Sequence, residues 1–111
     1  MTTEMGDKIF QNSNIDMLIL KILEEKDMYG YEIIRKINNI SSHKFVLKAG
    51  TLYPLLHALE KEGYVISYEK MEDTRQVRKY YRITEEGKKH LDCKIQNWKE
   101  YSSIINYVLE G

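Results

Sequence analysis

Apolar side chains recur every three or four residues in three segments of the first half of the chain, a spacing that predicts one-sided helices. Ser13 and Asp16 form a capping box at the start of the first predicted helix. The second helix is predicted over residues 29–40, and the third begins within residues 49–53 and ends at Gly63. The apolar face of the third helix consists of Leu52, Leu55, Leu56 and Leu59.

Alternation replaces this spacing after the third helix and predicts a β-hairpin. Its strands are expected at residues 64–71 and 77–84, joined by a polar projecting loop at residues 72–76. Thr84 then caps a last helix that reaches about residue 109. The second strand places its side chains on two faces, with Lys79, Tyr81 and Ile83 on one and Arg78, Tyr80, Arg82 and Thr84 on the other.

Three short helices followed by a hairpin indicate a winged helix-turn-helix. The predicted fold is mainly α with a two-stranded β-wing and a C-terminal dimerisation helix. Residues 1–84 would form the DNA-binding part and residues 85–111 the dimerisation helix, within a single continuous domain. An N-terminal arm containing Met5, Ile9 and Phe10 is expected to cross the partner subunit, because these side chains have no obvious place in their own core.

Composition restricts the class of protein. With 111 residues, of which 42% are hydrophobic, the chain is large enough for one core and too small for a second. The formal net charge is zero, so a nucleic-acid surface must come from cations gathered on one face. Such a gathering exists between residues 35 and 61, a segment whose only acid is Glu60. Its cations are Arg35, Lys36, Lys44, Lys48 and Lys61.

The third helix is predicted to be the recognition element of the winged fold. Its apolar face must be buried, which leaves the other faces for DNA, and its N-terminus favours phosphate. The candidate DNA-binding residues there are Lys48, Thr51, Tyr53, Pro54 and His57. The wing adds Arg75, Arg78 and Lys79 as phosphate contacts. For Tyr53 the alternative is a partly buried aromatic ring that closes the core. For the whole protein the alternative is a protein-interaction module without sequence-specific DNA binding.

The last helix carries an apolar seam with alternating spacings of four and three, which is typical of helix pairing. The seam consists of Leu91, Ile95, Trp98, Ser102, Ile105 and Leu109. Pairing with a second copy through Leu91, Ile95, Trp98, Ile105 and Leu109 would make a homodimer. The alternative is that the helix packs back onto its own domain.

Residues that could support catalysis or bind a metal are sparse. His90 and Cys93 lie three apart on the last helix, but no second pair at ligand spacing accompanies them. We therefore expect no enzyme activity, no metal and no cofactor. The lone Cys93 cannot form an internal disulfide, and no apolar run reaches the length of a signal peptide or a membrane span. These features predict a cytoplasmic protein with no membrane partner.

Three blocks of the sequence resemble the signature blocks of the PadR family of winged-helix transcriptional regulators, in order and in spacing. They are Tyr29-Gly30-Tyr31-Glu32-Ile33, Gly50-Thr51-Leu52-Tyr53-Pro54-Leu55-Leu56 with Leu59-Glu60-Lys61-Glu62-Gly63, and Arg78-Lys79-Tyr80-Tyr81-Arg82-Ile83-Thr84 with Gly87. The resemblance implies a dimeric bacterial or archaeal repressor, and the single short C-terminal helix is similar to the small subfamily. The chain departs from the glycine-rich wing turn common in the family, having Asp73-Thr74-Arg75-Gln76-Val77 instead.

The resemblance also implies that an aromatic residue in the seam can line a cavity between subunits. Trp98, the only tryptophan, occupies this position, and two indoles at a dimer axis could sandwich a flat aromatic effector. Met17, Leu20, Ile95 and Ser102 are the predicted neighbours in such a cavity. A plain interface anchor is the alternative role for Trp98. The repressor would bind double-stranded DNA as a palindromic operator with half-sites about 34 Å apart.

Overall fold

The structure is a computed structural model that describes residues 14–73 and 75–111. Among these residues there are four helices and a three-stranded sheet, in the arrangement of a winged helix. The elements in chain order are α1 (Asn14–Glu25), β1 (Met28–Tyr29), α2 (Gly30–Ile40), α3 (Ala49–Lys61), β2 (Val65–Asp73), β3 (Gln76–Ile83) and α4 (Glu85–Glu110). The predicted arm with Met5, Ile9 and Phe10, and the capping residue Ser13, lie outside the described residues.

The helix ends follow from local chemistry. The backbone N–H of Tyr29, which precedes α2, donates to the carboxylate of Glu32 at 3.2 Å. After α3 the chain turns at Gly63, whose φ of +81° lies in the left-handed region that favours glycine. Thr84 caps α4 as predicted, since its hydroxyl accepts from the Gly87 N–H at 3.0 Å. Pro54 lies within α3, in its second turn.

The sheet has the order β1-β3-β2 and is antiparallel throughout. It therefore has one strand more than the two-stranded wing that the sequence predicts. The extra strand, β1, pairs Met28 with Tyr81 and Tyr29 with Tyr80. Two residues are too few to produce a period-two pattern, which is why β1 has no signal in the sequence.

The hairpin is longer than predicted. Strand β2 continues to Asp73 and pairs it with Gln76, at the start of β3. Most of the predicted loop at residues 72–76 is therefore strand, and Arg75 lies exposed in the turn at the tip of the wing. The β2–β3 hairpin with this turn is called the wing below.

One apolar core joins α1, α2, α3 and the sheet, and α4 is fastened to it by its first turns. Leu91 on α4 is 0% exposed, enclosed by the core of its own domain. Its predicted place on a dimer seam is therefore corrected: the first part of the seam packs on its own domain. Ile95 packs against the same core and is partly buried. Leu20 on α1 is also 0% exposed, which removes it from any surface cavity.

Gly87 lets α4 approach the connection between α3 and β2 closely. A Cβ at this position would overlap the backbone carbonyl oxygen of Tyr64, so a larger residue would push the helix away. The same carbonyl accepts from the Thr84 N–H at 3.0 Å, and the Thr84 hydroxyl donates to the Gly63 carbonyl at 2.7 Å. These contacts set the direction in which α4 leaves the domain.

Beyond Ile95, the side chains of α4 are no longer enclosed by the core. The large apolar side chains there are exposed, namely Trp98, Tyr101, Ile104, Ile105, Tyr107, Val108 and Leu109. This set is called the distal stripe below. Among residues 14–73 and 75–111, no helix combines the length and the apolar character that crossing a membrane requires.

Candidate nucleic-acid interface

A cleft of about 560 Å³ lies between the start of α2, the middle of α3 and the near edge of β3. It is called the wing cleft below. Its lining is aromatic and cationic, and consists of Tyr29, Gly30, Tyr31, Arg35, Tyr53, Gln76, Arg78, Lys79 and Tyr81. Among the residues that the structure describes, three cations and no acid line this cleft. Such a surface attracts phosphate, and its tyrosine rings give the cations apolar support.

Two of the predicted wing residues, Arg78 and Lys79, lie in the cleft although they are consecutive on a strand. Strand β1 pairs with β3 only at Tyr80 and Tyr81, so the edge of β3 beyond these residues is open and both side chains reach the cleft. The Arg78 guanidinium lies 4.3 Å from the centre of the Tyr29 ring. Arg75 is exposed at the tip of the wing and is not part of the lining.

The predicted DNA-binding residues of α3 lie on the side of the helix opposite its buried leucines. Leu52, Leu56 and Leu59 are buried, which turns the other side of α3 to solvent. The residues Lys48, Tyr53, Pro54 and His57 are exposed, and Thr51 is half-buried. Of these five, Tyr53 lines the wing cleft, and the other four lie outside its lining.

Tyr53 is partly exposed and also packs within its own domain. Its side chain is 41% exposed, but its hydroxyl end lies against the backbone of Gly30 at the start of α2. A Cβ at residue 30 would overlap the Tyr53 ring and hydroxyl, so glycine is required for this contact. The pair joins α3 to α2 and forms the corner of the wing cleft.

Sequence reasoning did not include Tyr31 and Arg35 among the DNA-binding residues, although Arg35 is one of the cations gathered between residues 35 and 61. Both line the cleft, and the Arg35 guanidinium lies 5.1 Å from the centre of the Tyr31 ring. The two residues are four apart, so they share one face of the helix, and this spacing was the available signal. Only the tertiary structure turns that face toward the wing.

The far face of the sheet carries a row of tyrosines, one from each strand. The Tyr80 ring lies between Tyr29, at 5.5 Å edge to face, and Tyr68, stacked at 5.8 Å. Cations lie over these rings: Lys70 is 5.3 Å from the centre of Tyr80, and Arg82 is 5.4 Å from that of Tyr68. Tyr80 is 8% exposed as a result, although the alternation of the strand places it opposite the buried Tyr81.

Asp27, just before β1, is bound to this face. Burial alone would raise the pKa of its carboxyl, but hydrogen bonds from Tyr68 and Arg82, and the charge of Arg82, hold the pKa below its ordinary value. The same hydrogen bond raises the pKa of the Tyr68 hydroxyl. Because the folded pKa is lowered, the stabilisation is present above the unfolded pKa of the carboxyl and is lost as the pH falls through the folded value.

A second cleft, of about 400 Å³, lies between the start of α1 and the middle of α4. It is called the tryptophan cleft below, and it is lined by Asn14, Met17, Lys94, Asn97, Trp98 and Tyr101. The Trp98 side chain is 43% exposed, and its ring centre is 6.1 Å from that of Tyr101.

The tryptophan cleft contains two of the five residues predicted for a ligand cavity, Met17 and Trp98. The other three lie elsewhere, since Leu20 and Ile95 pack into the core. Ser102 lies outside this lining, in a groove farther along α4, and its hydroxyl donates to the Lys99 carbonyl at 3.2 Å.

His90 and Cys93, which were considered as metal ligands, lie in different surroundings from each other. The His90 ring stacks on Tyr64 at 4.0 Å, and Cys93 is exposed. Within residues 14–73 and 75–111, no three or more His, Cys, Asp and Glu side chains are grouped so that they could hold a metal ion.

Comparison with known proteins agrees with this geometry. The model of the transcriptional regulator PadR-like family matches residues 19–93. A transcriptional regulator from Clostridium thermocellum is similar in structure, with a TM-score of 0.78 and 41% identity, covering 83% of this chain and 89% of that one. A PadR family transcription regulator from Clostridium difficile has a TM-score of 0.74 and 39% identity, covering 87% of this chain and 99% of that one.

A curated relative is also named a transcriptional regulator. Transcriptional regulator Rv3488 of Mycobacterium tuberculosis is 32% identical over 79 residues, which are 71% of this chain and 70% of that protein. The family model covers the elements that form the wing cleft, which are β1, α2, α3 and the wing, and also the first turns of α4. The chain therefore belongs to the PadR-like family of transcriptional regulators.

Proposed function

We propose that this transcriptional regulator is a homodimeric repressor that binds a palindromic operator and is released by a small hydrophobic or aromatic effector. The wing cleft carries the DNA-binding part of the proposal. Arg35, Arg78 and Lys79 converge there beside the exposed face of α3, in a protein whose net charge is zero. Concentrating cations at one place in a neutral protein favours a polyanion at that place.

The proposed docking places α3 in the major groove and the wing along the adjacent phosphates. Helix α3 has 13 residues, about 20 Å of helix, and its exposed positions Tyr53, Pro54 and His57 lie on one side. The wing cleft lies beside this face, so a backbone next to the groove would pass over Arg35, Arg78 and Lys79. Side chains of α3 would read bases, and the cleft would bind phosphate.

The distal stripe supports the homodimer. It leaves a long apolar surface in solvent on a helix that has already left its own core. A surface of this kind is costly unless it is covered, and a second copy related by a two-fold axis covers it with an identical stripe. The two α3 helices of such a dimer would read half-sites about 34 Å apart.

The tryptophan cleft supports the effector. It lies where the distal stripe begins, so a bound molecule would contact the surface that we assign to pairing. Exposed Trp98 and Tyr101 rings suit a flat aromatic molecule, and the adaptable Met17 side chain suits varied shapes. An effector that favours a dimer with a different α3 separation would release DNA.

The alternative is a winged-helix module that binds protein, and the zero net charge favours it. The position of the cations within the wing cleft weighs against it. DNA binding releases counterions and weakens steeply with salt, whereas a mixed protein interface does not. Sequencing the DNA fragments that the purified protein retains from a genomic library would supply the operator and test the proposal directly.

The wing cations are predicted to bind phosphate without reading sequence. Alanine at Arg75, Arg78 or Lys79 should weaken binding to operator DNA and to scrambled DNA equally. It should also lower the magnitude of the slope of log affinity against log salt by about one unit. Fluorescence anisotropy over a salt series measures both. Lys89→Ala is the matched control, because this exposed lysine lies on α4, outside the wing cleft, and should leave both quantities unchanged. Unchanged binding in all three wing variants would remove the wing from the interface.

His57 is predicted to read sequence. His57→Ala should reduce discrimination between operator and scrambled DNA by about 1–3 kcal/mol, because a base contact is lost. Lys61→Ala, one turn farther along α3, is the comparison: it should weaken both duplexes alike if Lys61 meets phosphate. The ratio of the two dissociation constants is the measured quantity. A His57 variant that is folded and equally selective would contradict this role.

The distal stripe is predicted to hold the dimer. Ile105→Asp should shift the protein to monomer, because it buries an unpaired carboxylate in the proposed interface. Asn106→Asp adds the same charge at the next position, on an exposed polar residue of α4, and should remain dimeric. Sedimentation equilibrium distinguishes the two. A protein without substitutions that sediments as a monomer would refute the homodimer.

Trp98 is predicted to bind the effector. Flat aromatic compounds should quench its fluorescence with micromolar affinity, about −8 kcal/mol, and weaken DNA binding at matching concentrations. Because Trp98 is the only tryptophan, the signal reports this site alone. Trp98→Ala should abolish the effect of the compounds on DNA binding while the protein remains dimeric. A variant that becomes monomeric would show that Trp98 is an interface anchor, and a broad panel without quenching or DNA release would remove this effector class.

A further inference from the structure

We propose that Asp27 is a positioning residue for DNA binding: it holds the wing at a set angle to α3 without itself touching DNA. This inference rests on the proposed function. Asp27 is not part of the wing cleft, and it lies in the connection between α1 and β1. Its effect on DNA would pass through the base of the wing.

One oxygen of Asp27 joins three segments of the chain. Its Oδ2 accepts from the Tyr68 hydroxyl on β2 at 2.5 Å and from the Arg82 Nε on β3 at 3.0 Å. The Arg82 Nη2 lies at 3.0 Å from the same oxygen, which completes a forked ion pair. Both strands of the wing are therefore tied at their base to the helical part of the molecule.

The core holds the base of the wing on one face, where Val65 and Ile83 are buried, and the tie to Asp27 holds it on the opposite face. Strand β1 pairs with β3 at only Tyr80 and Tyr81, and the wing continues from there to the turn at Arg75. Five residues of strand extend about 17 Å, so a tilt of roughly 10° at the base moves the tip by about 3 Å. A movement of this size exceeds the distance range of a hydrogen bond to phosphate.

The same short segment also contacts a cation of the wing cleft. Tyr29, two residues after Asp27, lies under the Arg78 guanidinium at 4.3 Å. Residues 27–29 therefore contact β3 at two points, Arg82 on one side of the β1 pairing and Arg78 on the other. The Arg78 contact lies in the wing cleft, whereas the Asp27 contact lies outside it, so the two can be tested separately.

A purely electrostatic role and a positioning role of Asp27 predict opposite changes in DNA affinity when its charge is removed. Asp27→Asn removes a negative charge from a DNA-binding protein, and if charge alone mattered the affinity for DNA would rise. If Asp27 sets the angle of the wing, affinity falls despite the favourable change in charge. Sequence discrimination should not change, because α3 is not affected.

The experiment measures binding of the full chain to an operator duplex, taken from the retained genomic fragments, and to a scrambled duplex of equal length. Asp27→Asn should weaken both by about fivefold. Glu25→Gln is the matched control, because it removes the same charge at a position two residues before Asp27. The exposed Glu25 side chain forms a surface ion pair with Lys36 at 3.4 Å. The control should bind as tightly as the unaltered protein or slightly more tightly.

A double-mutant cycle separates positioning from general destabilisation. In an Arg78→Ala background the loss caused by Asp27→Asn should shrink, because the wing contact that Asp27 helps to position is already gone. Additive losses would overturn the inference. Tyr68→Phe provides a second variant in case Asp27→Asn fails to fold, since it removes one hydrogen bond and keeps the stacked ring. It should also lower the affinity for DNA.

The outcomes for the two proposals are distinct. Unaltered protein that binds no DNA would overturn the proposed function and this inference together. Unaltered protein that binds DNA, with an Asp27→Asn variant that binds as tightly or more tightly, would overturn the positioning role of Asp27 alone.

Discussion

The pairing of β1 with β3 is the constraint on which the rest of the interface depends. It consists of two residue pairs, Met28 with Tyr81 and Tyr29 with Tyr80. Helix α2 begins at the next residue, Gly30, so the pairing brings the start of α2 to the edge of the wing. Tyr53 then packs on Gly30 and fixes α3 at the same corner. Without this short strand, the three elements that form the wing cleft would share no edge.

Aromatic rings control where the cations of this neutral protein lie. Arg35 is held over Tyr31, Arg78 over Tyr29 and Arg82 over Tyr68. A long charged side chain loses conformational entropy when it binds a ligand. A ring beneath it already restricts its conformations in the free protein, so less entropy is lost on binding. The tyrosines therefore do two things here: some close the sheet, and others restrain the side chains of the cations.

Helix α4 divides into a part that belongs to the domain and a part that leaves it. Leu91 is enclosed in the core, and Ile95 packs against it, whereas the distal stripe is exposed from Trp98 onward. Packing onto the domain therefore accounts for the first part of the seam in the sequence, and the proposed pairing concerns only the exposed part. The tryptophan cleft lies at the boundary, which is where a ligand could influence pairing and the orientation of the domain together.

The sequence by itself determined the four helices, the wing strands, the cap at Thr84 and the family, because each depends on local spacing or on short blocks of residues. It also identified Arg78, Lys79 and Tyr53, which the cleft brings together. Tertiary structure alone decided the third strand, the roles of Tyr31 and Arg35, and the tie at Asp27. The contacts of Asp27 join residues 41 and 55 positions apart, and pairings at such separations leave no period in the sequence.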